Sequence, residues 1–353
     1  MRAALLRLRL LCALVLALSA GALLAMVSTA PVSPAWAQPV GDAPRDGGAR
    51  DSGRNPTADS VKEDALLREL GRARGIVSIP DDKAAMLEQP QGRAFQAWHE
   101  RYLPWIGGLS VLGMFGVLAV FYAIVGSIGS HDQVSGVKIK RFNWFERWNH
   151  WMTATTFLVL SVTGLNYFLG KRLILPIIGN DAFTVWSQWA KYAHNFLTLP
   201  FALGILAMFL LWVRDNIPNR LDWLWIRKLG GARGHVDAER FNAGQKAIFW
   251  IVVIGGALMT ATGTMLLFPF HWADINGMQL AHASHALIGV GLLVVIMGHI
   301  YIGTLGMKGA YDAMGSGEVD LAWAKAHHSL WVEEQMAKNA SGPQVGPRAA
   351  PAE

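Results

Sequence analysis

Five long apolar segments, separated by shorter polar ones, dominate the chain from residue 105 onwards. None of them contains Asp, Glu, Lys or Arg, and each exceeds the roughly 20 residues that a helix needs to cross the hydrocarbon core of a bilayer. The segments cover residues 105–128, 148–170, 192–213, 247–270 and 275–307. The pattern predicts an all-α membrane protein with five transmembrane helices.

The composition agrees with a membrane protein. Charged residues make up 16% of the chain and hydrophobic residues 52%, whereas soluble domains have about 25% charged residues. The chain has a net charge of +6, and in membrane proteins the excess of basic residues usually lies in cytoplasmic loops. No basic stretch alternates with aromatic residues on a soluble domain, so we exclude a nucleic-acid-binding protein.

The N-terminal 37 residues have the pattern of a signal peptide. Arginines precede an apolar run over residues 10–26, and Ala35-Trp36-Ala37 is a small-x-small cleavage site. An uncleaved signal anchor is the alternative. The single cysteine, Cys12, would leave with the signal, which excludes disulfides, cysteine-ligated iron–sulfur clusters and covalent c-type haem in the mature chain.

A polar extension, residues 38–104, follows the signal and is rich in Gly, Pro, Asp and Arg. We expect its first part to be disordered and a short helix to form near residues 65–72.

The loop charges predict the orientation of the helices. Cytoplasmic loops carry an excess of Lys and Arg. The loop before the second segment and the loop before the fourth are rich in these residues, whereas the loop before the fifth has none. The rule therefore places the first two loops in the cytoplasm and the mature N-terminus outside, in agreement with a cleaved export signal. The basic residues are Lys138, Lys140, Arg141 and Arg147 in the first loop, and Arg214, Arg220, Arg227, Lys228, Arg233 and Arg240 in the second.

Two histidines of the last apolar segment are spaced so that one lies near each face of the membrane. His285 and His299 are fourteen residues apart, which is about 21 Å along a helix axis, with the two side chains within about 40° of the same face. Polar residues inside a membrane are costly and usually have a function. One helix can therefore present an imidazole near each membrane face.

The predicted orientation supplies a partner for each of these two histidines. His150 opens the second segment at the cytoplasmic side, at the depth of His299. His194 opens the third segment at the periplasmic side, at the depth of His285. We therefore predict the pairs His150–His299 and His194–His285 as axial ligands of two b-type haems. Hydrogen bonding of each histidine to a neighbouring helix is the alternative.

The remaining histidines have simpler interpretations. His282 is rotated by about 100° from the face of His299 and is nearer the interface, so we interpret it as interfacial. For the histidines outside the apolar segments we expect surface roles. These are His99, His131, His235, His271, His327 and His328.

Small residues in the apolar segments favour close packing of helices or of a macrocycle. Thr163-Gly164 and Thr262-Gly263 occupy similar late positions in the second and fourth segments. The two dipeptides hint at an internal repeat.

Residues 241–246, with the sequence FNAGQK, lead into the fourth segment. Asn242 followed by Gln245 resembles a capping box at a helix N-terminus. The same side chains could offer hydrogen bonds to a quinone carbonyl beside the cytoplasmic histidine pair. The residues alone do not decide between these two interpretations.

Several motifs together resemble the gamma subunit of respiratory formate dehydrogenase, a cytochrome b. They are residues 146–151 (ERWNHW), residues 241–246 (FNAGQK), the pair His285 and His299, and residues 323–331 (WAKAHHSLW). The resemblance covers about residues 138–334.

The resemblance implies a four-helix dihaem cytochrome b domain, residues 138–308, in the bacterial inner membrane. The helix at residues 105–128 would be an addition of a longer branch of the family, and residues 309–353 would form a cytoplasmic tail. His150 with His299 would hold the cytoplasmic-side haem and His194 with His285 the periplasmic-side haem.

The resemblance also implies a quinone pocket and two partner subunits. Asn242, Gly244 and Gln245 would form the quinone pocket, with His299 nearby. The partners would be an iron–sulfur beta subunit and a molybdenum- or tungsten-dependent alpha subunit that oxidises formate. The chain would then be the electron-transfer subunit of a formate:quinone oxidoreductase.

Two alternatives come from different classes. A related cytochrome b of a nickel–iron hydrogenase or a thiosulfate reductase would share the helical bundle but serve another catalytic subunit. A cofactor-free membrane anchor or transporter is the second. Against a transporter, the apolar segments contain no acidic residue and no pair of broken helices that would mark a substrate site.

Overall fold

The computed structural model describes residues 90–128, 134–228, 230, 234 and 236–340. The predicted signal peptide, the short helix near residues 65–72, and His131 and His235 lie outside the described residues.

The described part of the chain is almost entirely helical. Five of its helical stretches are long and apolar enough to cross a membrane, namely Phe95–Val125, Trp144–Leu173, Leu175–Trp212, Ala243–Leu267 and Ile275–Gly306. The prediction of an all-α membrane protein with five spans is confirmed. In chain order the helices are α1 (Pro90–Arg101), α2 (Leu103–Val125), α3 (Trp144–Leu173), α4 (Leu175–Trp212), α5 (Arg220–Arg227), α6 (Ala243–Leu267), α7 (Ile275–Tyr301), α8 (Asp312–Gly315), α9 (Leu321–His327) and α10 (Ser329–Ala340).

Helix α4 begins well before the predicted segment. The sequence predicts a loop up to residue 191, but only Ile174 separates α3 from α4. Charged residues such as Lys171 and Lys191 do not end a helix by themselves, since they are good helix formers. The chain instead turns at Gly179, whose φ of 81° is a conformation that glycine adopts without steric cost.

The four core helices form two antiparallel hairpins. Helix α3 packs along α4 and α6 along α7, while α4 contacts α6 and the additional helix α2 lies against α7. A Cβ atom on Gly255 or Gly256 would lie 2.7 Å from the side chain of Leu292 or Ile205, respectively. These two glycines therefore let α6 approach both α7 and α4 closely.

One end of the bundle is covered by the segment that follows α7. Strand β1 (Lys138–Lys140) pairs antiparallel with strand β2 (Glu318–Asp320), and α8, α9 and α10 flank β2. We call this the capped end. A hydrophobic cluster of buried side chains lies there, including Phe142, Trp212, Phe241, Val319, Trp331 and Val332. Residues 309–340 are thus a folded part of the domain.

His328 is buried at the capped end, so the predicted surface role is wrong. Only 1% of the residue is exposed. Its Nδ1 lies 2.9 Å from the carbonyl oxygen of Glu239 and its Nε2 lies 3.0 Å from Arg141 Nη2. Burial, and then the charge of Arg141, lower the pKa of His328 to about 2. A neutral ring that donates from Nδ1 and accepts at Nε2 fits both contacts.

Candidate functional site

The structure brings the four predicted ligands together as two pairs. The ring centres of His150 and His299 are 6.2 Å apart and those of His194 and His285 are 6.1 Å apart. The first pair lies near the capped end, where Trp151 contacts Met314. The second pair lies toward the opposite end of the bundle. His285 and His299 are on one unbroken helix, α7.

These separations fit a metal ion between each pair of rings. A metal–imidazole bond is about 2.0 Å and the ligating nitrogen lies about 1.1 Å from the ring centre, so two rings on opposite sides of one metal have centres about 6.2 Å apart. Both observed separations agree with this value within 0.1 Å. The residues present therefore fit a bis-histidine haem at each pair.

A threonine fixes the tautomer of His194. Thr163 Oγ1 lies 2.8 Å from the carbonyl oxygen of Val159 and 2.8 Å from His194 Nδ1. A hydroxyl has one proton, and a carbonyl can only accept. Thr163 therefore donates to Val159 and accepts from Nδ1–H of His194, so the lone pair of His194 is on Nε2. Histidines that ligate metals usually donate their other N–H in this way.

His285 has the same arrangement on the second hairpin. Thr262 Oγ1 donates to the carbonyl oxygen of Leu258 at 2.7 Å, and His285 Nδ1 lies 2.9 Å from the same hydroxyl. The lone pair of His285 is therefore also on Nε2.

The glycine after each of these threonines makes room for the imidazole. A Cβ atom on Gly164 would lie 3.4 Å from His194 Cε1, and one on Gly263 would lie 3.1 Å from His285 Cε1. The two Thr-Gly dipeptides that hint at a repeat thus share one structural task, since each positions a histidine. The sequence shows their recurrence, but the role of the hydroxyl requires the helix packing.

The environment of His150 is built by its neighbours in the ERWNHW motif. Asn149 is fully buried and its Nδ2 donates to the carbonyl oxygen of Gly204 at 3.1 Å, which ties α3 to α4. Trp151 Nε1 donates to the carbonyl oxygen of Met314 at 2.9 Å. The motif therefore fixes the start of α3 between the bundle and the segment that covers the capped end.

Glu146 of the same motif is a buried carboxylate that the sequence analysis did not single out. It is 5% exposed and accepts hydrogen bonds from Trp212 Nε1 at 2.7 Å and from Arg240 Nη2 at 2.6 Å. It also accepts from the backbone N–H of Asn143, as part of a capping box. A buried charge with these partners is satisfied, so Glu146 joins three elements beside the His150–His299 pair.

Asn242 and Gln245 form the capping box that their spacing predicts. Asn242 Oδ1 accepts from the backbone N–H of Gln245 at 3.0 Å, and Gln245 Oε1 accepts from that of Asn242 at 3.1 Å. An adjacent cavity, which Asn242, Lys246 and Trp225 line, has a volume of about 10 Å³, which is the space of one water molecule. A Cβ atom on Gly244 would lie 3.0 Å from the Trp225 ring. A quinone head group would need this region to open.

The Lys246 ammonium forms ion pairs in the same region. It is buried and lies 2.9 Å from Asp222 Oδ2 and 3.4 Å from Glu239 Oε2, and it donates to the carbonyl oxygen of Ile217 at 3.2 Å. These contacts hold α5 against the start of α6.

His99 and His282 meet at the end of the bundle opposite the capped end. Their ring centres are 5.2 Å apart. His99 belongs to the span Phe95–Val125, so its place differs from the predicted surface role. The sequence offers no periodicity that would connect these two residues.

Comparison with known proteins assigns the chain to a family. Residues 141–317 match the family described as prokaryotic cytochrome b561.

Relatives with described functions are similar over most of their own length. The cytochrome b556(fdo) subunit of formate dehydrogenase from Escherichia coli strain K12 is 34% identical over 202 residues, which are 56% of this chain and 92% of the relative. The nitrate-inducible cytochrome b556(Fdn) subunit of the same strain is 27% identical over 205 residues, 56% of this chain and 91% of the relative. The formate dehydrogenase cytochrome b556 subunit from Haemophilus influenzae strain Rd is 26% identical over 198 residues, 54% and 80% respectively. The chain therefore belongs to the prokaryotic cytochrome b561 family and is a member of its group of formate dehydrogenase cytochrome b subunits.

Proposed function

We propose that this chain is the dihaem cytochrome b subunit that anchors a formate dehydrogenase complex in the inner membrane and passes electrons from an iron–sulfur subunit to quinone. The observation that supports the proposal best is the presence of two histidine pairs. In each pair the ring centres have the separation that one intervening iron requires. The threonine contacts of His194 and His285 support it, because they leave Nε2 of each ring as the ligating atom.

The four histidines would hold the two haems. His150 on α3 and His299 on α7 would hold one near the capped end, while His194 on α4 and His285 on α7 would hold the other. When bound, haem b supplies reversible one-electron chemistry at iron. Residues 285 and 299 are about 21 Å apart along the helix axis, so the two sites would lie at different depths of the membrane.

The loop charges support an orientation with the capped end in the cytoplasm. The segment before α3 and the segment around α5 are rich in Lys and Arg, which favours the cytoplasmic side. Electrons would then enter at the His194–His285 side, which is periplasmic, and leave to quinone at the His150–His299 side. Protons taken up there by quinone would come from the cytoplasm, so the reaction would contribute to the membrane potential.

The quinone pocket would be formed by Asn242, Gly244 and Gln245 beside the His150–His299 pair. In the capping box the side-chain oxygens of Asn242 and Gln245 face backbone N–H groups. The amide N–H groups would then be the donors for a quinone carbonyl. Entry of the ring would require Trp225 to move away from Gly244.

The partners would be an iron–sulfur beta subunit and a molybdenum- or tungsten-dependent alpha subunit where formate is oxidised. The relatives carry formate dehydrogenase in their names, which favours this complex over a hydrogenase or a thiosulfate reductase.

Purification of the tagged chain from its native membrane tests the proposed function. We expect an iron–sulfur protein and a molybdenum- or tungsten-containing protein to co-purify, and formate to reduce the b-type absorbance of the complex. Added quinone should reoxidise it. Co-purification of a nickel-containing subunit, or b-type absorbance that hydrogen but not formate reduces, would contradict the assignment.

A further inference from the structure

A third pair of histidines lies where the N-terminal helix α1 meets α7. The ring centres of His99 and His282 are 5.2 Å apart with an interplanar angle of 61°. Tyr167 lies 5.3 Å from His99 and 5.4 Å from His282, and Phe95 lies 5.5 Å from His282. Three helices therefore converge on two imidazoles with an aromatic surround.

Each of these imidazoles has a buried nitrogen that lacks a partner. His99 Nε2 and His282 Nδ1 are shielded from solvent and make no hydrogen bond within the described part of the chain. Buried polar atoms are nearly always hydrogen-bonded or bound to an ion or water. Nδ1 of His150 also lacks a partner in the described residues, whereas Nδ1 of His194 and Nδ1 of His285 each contact a threonine hydroxyl. The His99–His282 pair differs from the other two pairs in having an unpartnered nitrogen on both rings close together, which points to a partner from outside the protein.

The distance between the ring centres of His99 and His282 is too short for a haem to be the partner. It is about 1 Å shorter than in the two haem pairs. Two imidazoles bound to one metal at about 2.0–2.1 Å, with the tetrahedral angle of about 109° between the bonds, have ring centres about 5.1 Å apart. The observed 5.2 Å agrees with a small tetrahedral cation and is too short for two ligands on opposite faces of a macrocycle.

We propose that His99 and His282 bind one divalent transition cation of the zinc and copper class, which pins α1 to the bundle. Imidazole suits such ions, whereas Mg²⁺ and Ca²⁺ prefer oxygen ligands. No group of three or more His, Cys, Asp or Glu side chains among residues 90–128, 134–228 and 236–340 is arranged to hold a metal. The described residues therefore supply two imidazoles to the ion, and we expect weaker binding than at a structural zinc site with four protein ligands.

Charges of both signs lie near His99. The charged groups that act on His99 are Glu100 and Lys171, which have opposite signs. His99 precedes the part that matches the family, residues 141–317, and His282 lies within it, so the site would join the N-terminal extension to the family domain.

Metal titration of the purified chain with its haem tests the proposal. The affinity tag must not be polyhistidine, since that would bind the same ions. Competition with a chromophoric chelator measures Zn²⁺ and Cu²⁺ binding to the wild type and to the variants His99→Phe and His282→Phe. The control is His271→Phe, which removes another histidine ring that packs against a tryptophan. Phenylalanine keeps the ring packing and removes the nitrogens.

We expect one equivalent of metal per wild-type chain, with Cu²⁺ bound more tightly than Zn²⁺ and no competition from Mg²⁺. Both His99→Phe and His282→Phe should weaken binding at least tenfold, and His271→Phe should not. Zn²⁺ should also raise the melting temperature of the wild type and not that of His99→Phe.

Three results would overturn the proposal: no stoichiometric binding by the wild type, equal binding by His99→Phe, or loss of binding only in His271→Phe. If His282→Phe loses its haem spectrum and is misfolded, His99→Phe alone decides, because His99 lies outside the family domain.

Discussion

Replacing Thr262 by valine removes one hydroxyl beside His285 and leaves the shape of the side chain almost unchanged. In the wild type this hydroxyl accepts from Nδ1–H of His285 at 2.9 Å. The variant leaves a buried N–H without its acceptor. The carbonyl oxygen of Leu258 loses only the threonine hydroxyl, and we expect it to keep its helical hydrogen bond. The change therefore acts on the histidine far more than on the helix.

The expected change in the haem midpoint potential follows from the strength of the lost Thr262–His285 hydrogen bond. An acceptor on the second nitrogen raises the basicity of a ligating imidazole and so stabilises the ferric state. A typical hydrogen bond contributes about 0.5–1.5 kcal/mol. If about 0.5–1 kcal/mol of this differs between the two oxidation states, the midpoint potential of one haem rises by roughly 20–45 mV, since 59 mV is a factor of ten for one electron.

A spectroelectrochemical titration of the purified chain measures this shift. Thr262→Ser, which keeps the hydroxyl, should behave as the wild type. Thr264→Val is the matched control, because the Thr264 hydroxyl donates to the carbonyl oxygen of Thr260 at 2.7 Å and contacts no histidine within the described residues. A rise in one potential for Thr262→Val alone supports the reasoning. Equal shifts for Thr262→Val and Thr264→Val, or a shift to lower potential, would refute it.

Three further predictions concern other parts of the bundle. Gly263→Ala should reduce haem content more than Gly164→Ala, because the new Cβ would lie 3.1 Å from His285 in the first variant and 3.4 Å from His194 in the second. Pyridine haemochrome assays measure the haem content, and the reverse order would count against the packing explanation. Asn242→Ala should slow reoxidation of the chain by quinone and leave haem content unchanged, whereas loss of haem would make Asn242 a structural cap only. His328 has a lowered pKa of about 2 in the folded state, so the unfolded state binds more protons below pH 6.5 and stability falls by about 1.4 kcal/mol per pH unit as the pH decreases. His328→Gln should flatten the dependence of melting temperature on pH between 6.5 and 4.5, and an unchanged slope would show that other groups cause it.

The spans and the two histidine pairs were predictable because their signals are local. Hydropathy identifies a membrane helix from its own residues, and the spacing of His285 and His299 follows from helix geometry. The loop charges then sort His150 and His194 by depth. No contact between helices had to be known to bring each pair together.

The missed features depend on contacts between distant parts of the chain. The Arg141–His328 contact joins residues 187 positions apart, and no periodicity in the sequence connects them. The same holds for His99 and His282, which meet only because α1 packs against α7. The early start of α4 differs from the prediction for another reason. Lys171 and Lys191 favour a loop by their charge, but both lie in helices, and the chain turns at Gly179.

The most direct test of two bis-histidine haems is the haem content of single-ligand variants. We predict two b haems per wild-type chain, and about one in His285→Ala and in His299→Ala, with a different absorbance component lost in each. A wild-type content of one haem, or the same component lost in both variants, would contradict the assignment of these histidines to separate haems.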